Sequence, residues 1–176
     1  MVGDERVRLF LALRLPDDAV ETLAEWQTRE LRGRTVSREN LHVTLAFLGS
    51  RPAAELPAVL DVLGRAAHNA SAPLFEVDGY RETRSVGMLT LRDEIGVSVG
   101  LAERLHDELA ALGVYRPERR PWRPHVTVLR FRERPRLRPS LPDVGTIVTS
   151  DAAAFLSHLH PTGARYEVLE SFRLGG

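Results

Sequence analysis

The chain contains no cysteine. Disulfides and cysteine-ligated zinc are therefore excluded. Lysine is also missing: all 24 basic residues are arginine. A genomic bias toward GC-rich codons accounts for most of that choice. No stretch approaches the roughly 18 apolar residues that a membrane span needs. The start, Met1-Val2-Gly3-Asp4-Glu5-Arg6, is charged and lacks a signal-peptide pattern. A soluble cytoplasmic protein with no membrane partner is the expectation. Net charge is absent too, with 24 acids against 24 bases. Taken alone, that balance gives no support for nucleic-acid binding.

What is present points to a folded chain. Hydrophobic residues make up 43% of the 176 and charged residues 27%. That suits one domain spanning 1–176, or two small lobes sharing a core. The charges are unevenly placed. Between Arg116 and Arg138 lie nine arginines and only two acids, Glu118 and Glu133, a local excess of 9 − 2 = +7. Such a cluster can attract and hold phosphate. A solvated loop face is the plainer reading of any single arginine in it.

Hydrophobic periodicity gives the elements. Val7 to Leu15 and Leu41 to Leu48 read as strands, closed by Pro16 and Gly49. Pro16-Asp17-Asp18 starts a helix carrying Val20, Leu23, Ala24 and Leu31. Ala53 to Ala70 reads as a second helix with Pro57 in its first turn. Leu74 to Tyr80, Val86 to Leu91 and His125 to Phe131 read as strands. Leu101, Leu105, Leu109 and Leu112 mark a helix stopped by Gly113. Pro135 to Pro142 is a loop. Ile147 to Leu159 and Arg165 to Leu174 read as two long strands around a Pro161-Thr162-Gly163 turn. A faint repeat runs through this order. Asp17 precedes His42 by 25 residues and Gly100 precedes His125 by the same 25.

The chemistry concentrates where that repeat ends. His42-Val43-Thr44-Leu45 and His125-Val126-Thr127-Val128 share the pattern His-Val-Thr. On a strand, residues i and i+2 share a face, so each copy presents an imidazole beside a hydroxyl. Histidine titrates near pH ~6.5, so one ring can accept a proton while another donates. Threonine hydroxyls can bond the non-bridging phosphate oxygens, where charge grows in the transition state. The competing metal reading lacks a third ligand at a recognisable spacing. His68, His106, His158 and His160 have no threonine two residues on, and read as surface or structural.

These two motifs resemble those of the two-histidine (2H) phosphoesterase superfamily. More closely, the chain resembles the bacterial and archaeal RNA 2',3'-cyclic phosphodiesterases, also called 2'-5' RNA ligases. Asn40 to Gly49 resembles the first motif and Arg123 to Arg130 the second. Arg8 to Leu13 and Gly163 to Leu169 with Phe172 resemble the opening and closing strands. The resemblance implies an α+β fold that is bilobal, with two antiparallel sheets in pseudo-twofold duplication around a central cleft and helices on the outer faces. It implies hydrolysis of a 2',3'-cyclic phosphate on an RNA end or nucleotide to a 2'-phosphomonoester, with no cofactor and no metal. It makes His42 the proton donor to the 3' oxygen and His125 the base, with Thr44, Thr127 and Arg130 on the phosphate. The reverse reaction would join RNA ends through a 2'-5' linkage. A monomer is expected. Phe10, Phe47, Trp122 and Phe131 are candidates to stack on bases, Trp122 foremost; Phe47 is read as core. Two alternatives stay open: an RNA-end binding module with little turnover, and a phosphodiesterase for small nucleotides or 2'-5' oligonucleotides.

Overall fold

The computed structural model describes residues 5–175. The charged start therefore falls mostly on residues outside the described ones. Among the described residues, nine strands and three α-helices follow in the order β1 (Arg6–Arg14), α1 (Asp17–Glu30), β2 (Arg34–Thr35), β3 (His42–Pro52), α2 (Leu56–His68), β4 (Leu74–Glu82), β5 (Val86–Asp93), α3 (Val97–Ala111), β6 (His125–Arg130), β7 (Ile147–Val148), β8 (Asp151–His158) and β9 (Arg165–Arg173). They build two antiparallel sheets, ordered β3-β1-β8-β9 and β2-β6-β5-β4-β7. With β2 set aside, the orders superimpose: β3 on β6, β1 on β5, β8 on β4, β9 on β7. Each histidine strand lies antiparallel to the strand that precedes its helix. The fold is thus α+β with an internal duplication, as the resemblance implies.

The two sheets differ in how their cleft faces are covered. β1 is a continuous apolar run because both its faces are buried. Leu9, Leu11 and Leu13 enter the main core with α2 and α3 residues such as Leu63 and Leu105. Phe10 and Ala12 face the other way, into a small cluster with Ala153 and Phe155 flanked by Tyr166. β5 alternates instead: Gly87, Leu89 and Leu91 are buried, while Met88 and Thr90 are half-exposed. Buried side chains from both sheets, Leu11 and Val43 with Leu89 and Val126, belong to one cluster. Each large aliphatic side chain buried there contributes about 1.5–3 kcal/mol.

Three sequence expectations need correction. Ile147 to Leu159 is not one strand. β7 pairs with β4 in one sheet and β8 with β1 in the other. The chain changes sheets at Thr149-Ser150, where Thr149 bonds Pro73 O through both its amide and its hydroxyl, at 3.2 Å each. The predicted helix Ala53 to Ala70 opens with a 3-10 turn, Ala53–Glu55, before α2 begins. Finally, α3 begins at Val97. Asp93 accepts bonds from the amides of Gly96 and Ser98 at 3.0 and 2.7 Å, and Gly96 takes φ 76°. The second helix-to-histidine interval is therefore 125 − 97 = 28 residues, so the equal spacing of 25 does not hold. The duplication is real in the topology and inexact in length.

Candidate active site

His42 and His125 are the first residues of β3 and β6. Thr44 and Thr127 share their faces by strand alternation, and Val43 and Val126 are fully buried behind them. Both strands then break step at the same place. Ala12 pairs with Thr44 and Leu11 with Ala46; Met88 pairs with Thr127 and Gly87 with Leu129. Leu45 and Val128 are thus extra residues, each forming a β-bulge. The bulge explains why two consecutive residues are buried on each strand, Leu45-Ala46 and Val128-Leu129. It also brings the fifth residue after each histidine onto the cleft face. In β6 that residue is Arg130; in β3 it is Phe47.

A bulge leaves a backbone carbonyl that its sheet partner does not satisfy. Both are met by side chains from helices. His106 of α3 donates from Nε2 to Leu45 O at 2.7 Å. Gln27 of α1 donates from Nε2 to Val128 O at 2.9 Å, and the amide of Val36 adds a bond of 3.0 Å. Each helix therefore supports the histidine strand of the other half. Leaving such a buried acceptor unpaired costs about 1–3 kcal/mol.

The imidazoles are oriented by the same device. His42 Nδ1 lies 2.7 Å from Asn40 O and His125 Nδ1 lies 3.0 Å from Arg123 O. A carbonyl can only accept, so Nδ1 carries the hydrogen in both rings and Nε2 is left for chemistry. Around the rings the halves diverge. His42 Nε2 accepts the Thr44 hydroxyl at 2.8 Å. Its ring lies 4.9 Å from the Phe10 ring and 5.6 Å from the edge-on Tyr166 ring, with Phe155 beyond. This burial pushes the His42 pKa down to about 4. The bond to Asn40 opposes the shift, and the positive charges of His125 and Arg130 reinforce it.

His42, Thr44, Thr127 and Arg130 line one cavity of about 120 Å³, with Phe10, Phe47, Asn40 and Tyr166. His125 is not among the residues lining it; it stands half-buried on the same face of β6 as Thr127, near enough for its charge to act on His42. A larger cavity of about 390 Å³ adjoins through Asn40 and Tyr166 and is lined by Ser37, Glu39 and Thr162 to Arg165. It is the roomier space, but it holds neither histidine.

The aromatic expectations are partly overturned. Phe47, read as core, is 52% exposed because the bulge turns it out. Trp122, the foremost stacking candidate, is half-buried against the core, and its indole donates to Thr44 O at 2.9 Å. It clasps the loop before His125 onto β3. Phe10 is buried beside His42, and Phe131 packs on the core. Tyr166 was missed as a site residue. Its signal lies in the last hairpin, where it pairs with Ser157, which also lines the cavity. Among the other histidines, His106 supports the bulge and stacks on Tyr115, and His158 bonds Glu167 at 2.9 Å. His68 and His160 are exposed. Among the described residues, no three His, Asp or Glu side chains gather into a group able to hold a metal, and no helix is long and apolar enough to cross a membrane.

Similarity to known proteins covers this whole arrangement. The 2'-5' RNA ligase superfamily matches residues 15–171. An RNA 2',3'-cyclic phosphodiesterase of Thermus thermophilus is 34% identical over 97% of this chain and 91% of its own length. One from Escherichia coli is 32% identical over 72% of this chain and 73% of its own. The crystal structure of Escherichia coli LigT complexed with 3'-AMP superimposes with a TM-score of 0.84 at 26% identity, covering 98% of this chain and all of that one.

Proposed function

The chain belongs to the 2'-5' RNA ligase superfamily, and on that premise we propose that it is an RNA 2',3'-cyclic phosphodiesterase working through His42 and His125. Water attacks phosphorus, the bond to the 3' oxygen breaks, and a 2'-phosphomonoester remains. One Nε2 takes the proton from water and the other gives one to the departing oxygen. Thr44, Thr127 and Arg130 hold the non-bridging oxygens as charge grows on them. The observation that carries this reading is the convergence of two strands from different sheets: His42, Thr44, Thr127 and Arg130 line one cavity. The small cavity suits the phosphate, and the adjoining one has room for the nucleoside. The same steps with a 5'-hydroxyl attacking in place of water break the same bond to the 3' oxygen and leave a 2'-5' linkage, without ATP. The reading treats 1–176 as one bilobal unit, supported by the shared core, and as a cytoplasmic monomer.

The order of the two histidines has two readings. Resemblance makes His42 the acid. The free site holds it neutral at pH 7, with Nε2 accepting the Thr44 hydroxyl, which favours the base. As acid, His42 needs the bound phosphate anion to offset His125 and Arg130 and lift its pKa. A cyclic phosphate with sulfur in place of the 3' bridging oxygen separates the two, because a thiolate leaves without a proton. His42→Ala recovers on that substrate only if His42 is the acid.

The test of the function itself is product identification on a nucleoside 2',3'-cyclic phosphate in excess chelator. A 2'-phosphomonoester formed there supports the reading. Activity lost to chelator and restored by a divalent metal sinks it.

A further inference from the structure

The loop after Arg130 has no helix or strand from residue 131 to 146, yet it is fixed at three places. The amide of Phe131 bonds Ser85 O at 3.0 Å. The carboxylate of Glu82 accepts the amides of Arg136 and Leu137 at 2.8 and 3.0 Å. The indole of Trp26 donates to Ser140 O at 2.6 Å. Glu82 is only 7% exposed, and it also accepts the Tyr80 hydroxyl at 2.8 Å. Burial works to raise its pKa, but these bonds outweigh it and hold the group below its ordinary value.

A buried carboxylate is thus committed to shaping this loop. It holds Arg136 at φ 56°, a left-handed conformation that costs a non-glycine residue about 1 kcal/mol or more. A merely solvated loop has no use for that expense of strain and burial. The result is a cavity of about 310 Å³ lined by Arg81, Arg134, Arg136 and Arg138 around Glu82. Arg134 pairs with Glu82 at 3.5 Å. Among the described residues, Arg81, Arg136 and Arg138 have no carboxylate within 4.0 Å. Three exposed cations thus share this lining without a paired carboxylate, Arg136 and Arg138 on the segment that leaves the cleft at Arg130 and Arg81 on β4.

We propose that this arginine cavity is a second phosphate-binding site, which takes a backbone phosphate of an RNA strand upstream of its cyclic end. The inference rests on the proposed function for the identity of the strand. It makes RNA, and not a mononucleotide, the better substrate. The repeated anions of the strand gain from the second site, and a single nucleotide in the cleft does not reach it.

The experiment compares the intact protein with the triple variant Arg81→Gln/Arg136→Gln/Arg138→Gln. The substrates are a mononucleoside 2',3'-cyclic phosphate and an RNA of about ten nucleotides with the same end. Expected for the variant is an unchanged rate on the mononucleotide and a loss of about 10- to 100-fold in kcat/KM on RNA. The logarithmic salt dependence on RNA should become shallower by about 2, from three contacts at about 0.7 each. An equal loss on both substrates, or no loss on RNA, overturns the site. Fluorescence anisotropy with the same RNA gives an independent reading. Unchanged affinity in the variant overturns the site even if the protein proves to hydrolyse neither substrate, a result that counts against the proposed function alone. Inorganic phosphate that competes equally with both substrates marks binding at the cleft only and also overturns it.

Discussion

The two half-sites share a backbone and differ in what they place on it. Each opens with histidine, keeps threonine two residues on, bulges at the next position and exposes the fifth residue after the histidine. Each bulge carbonyl is met by a side chain from the helix of the other half. The halves part at the exposed position, Phe47 against Arg130. They part again in the surroundings: one imidazole is walled by Phe10, Phe155 and Tyr166, and the other stands half-buried with no aromatic ring stacked against it among the described residues. A duplicated frame can therefore supply one apolar and one basic wall to the same cleft. A sugar and base suit the first wall, and a phosphate suits the second.

The comparison breaks most sharply at the histidines. His42→Ala and His125→Ala should each lower kcat by about 10²–10⁴ despite their different surroundings, with circular dichroism unchanged. A variant that keeps full turnover removes its half from the chemistry. Next comes Arg130→Gln, expected to cost about 10²-fold in kcat by loss of charge on the phosphate oxygens. Phe47→Ala, at the matching position, should act on binding instead. KM should rise about 5- to 100-fold, the worth of one stacked base, with little change in kcat. Equal kcat losses at both positions would erase the proposed division between walls.

A smaller effect is expected at the bulges. His106→Leu removes the side-chain donor from Leu45 O and should cost about 1–3 kcal/mol in urea unfolding, whereas Gln27→Leu should cost less, because Val128 O keeps the Val36 amide. Gln27→Leu should also lower kcat through Arg130, whereas His106→Leu should raise KM through Phe47. The last effect is on stability against pH. His42 has a folded pKa of about 4, below its unfolded value of 6.5. Its contribution is present above pH 6.5 and is lost as pH falls toward 4, because the unfolded chain gains the proton first. His42→Gln should flatten the urea midpoint across that window. A slope that is unchanged in the variant assigns the titration elsewhere.

Much of this site was legible in the chain. The paired His-Val-Thr motifs stand out because strand alternation is local: it needs only neighbouring residues to place imidazole and hydroxyl together. Arg130 was legible only through resemblance, since simple alternation from His125 sends the fifth residue into the core. The bulge that reverses this depends on pairing with β5, which no local pattern encodes. Phe47 was misread for the same reason. Trp122 was misread because its partner, Thr44 O, lies 78 residues away. The strand Ile147 to Leu159 looked continuous because each half is apolar; only its two different sheet partners divide it.

Composition and short-range pattern alone determined the absence of disulfides, the alternating strands, the helices and the two histidine-threonine pairs. These follow from properties of residues a few positions apart. Tertiary structure decided which residues face the cleft beyond the bulges, which histidine is buried into neutrality and where the surplus arginines are held. Those outcomes depend on sheet partners, buried carbonyls and local dielectric, and all three exist only once distant segments have met.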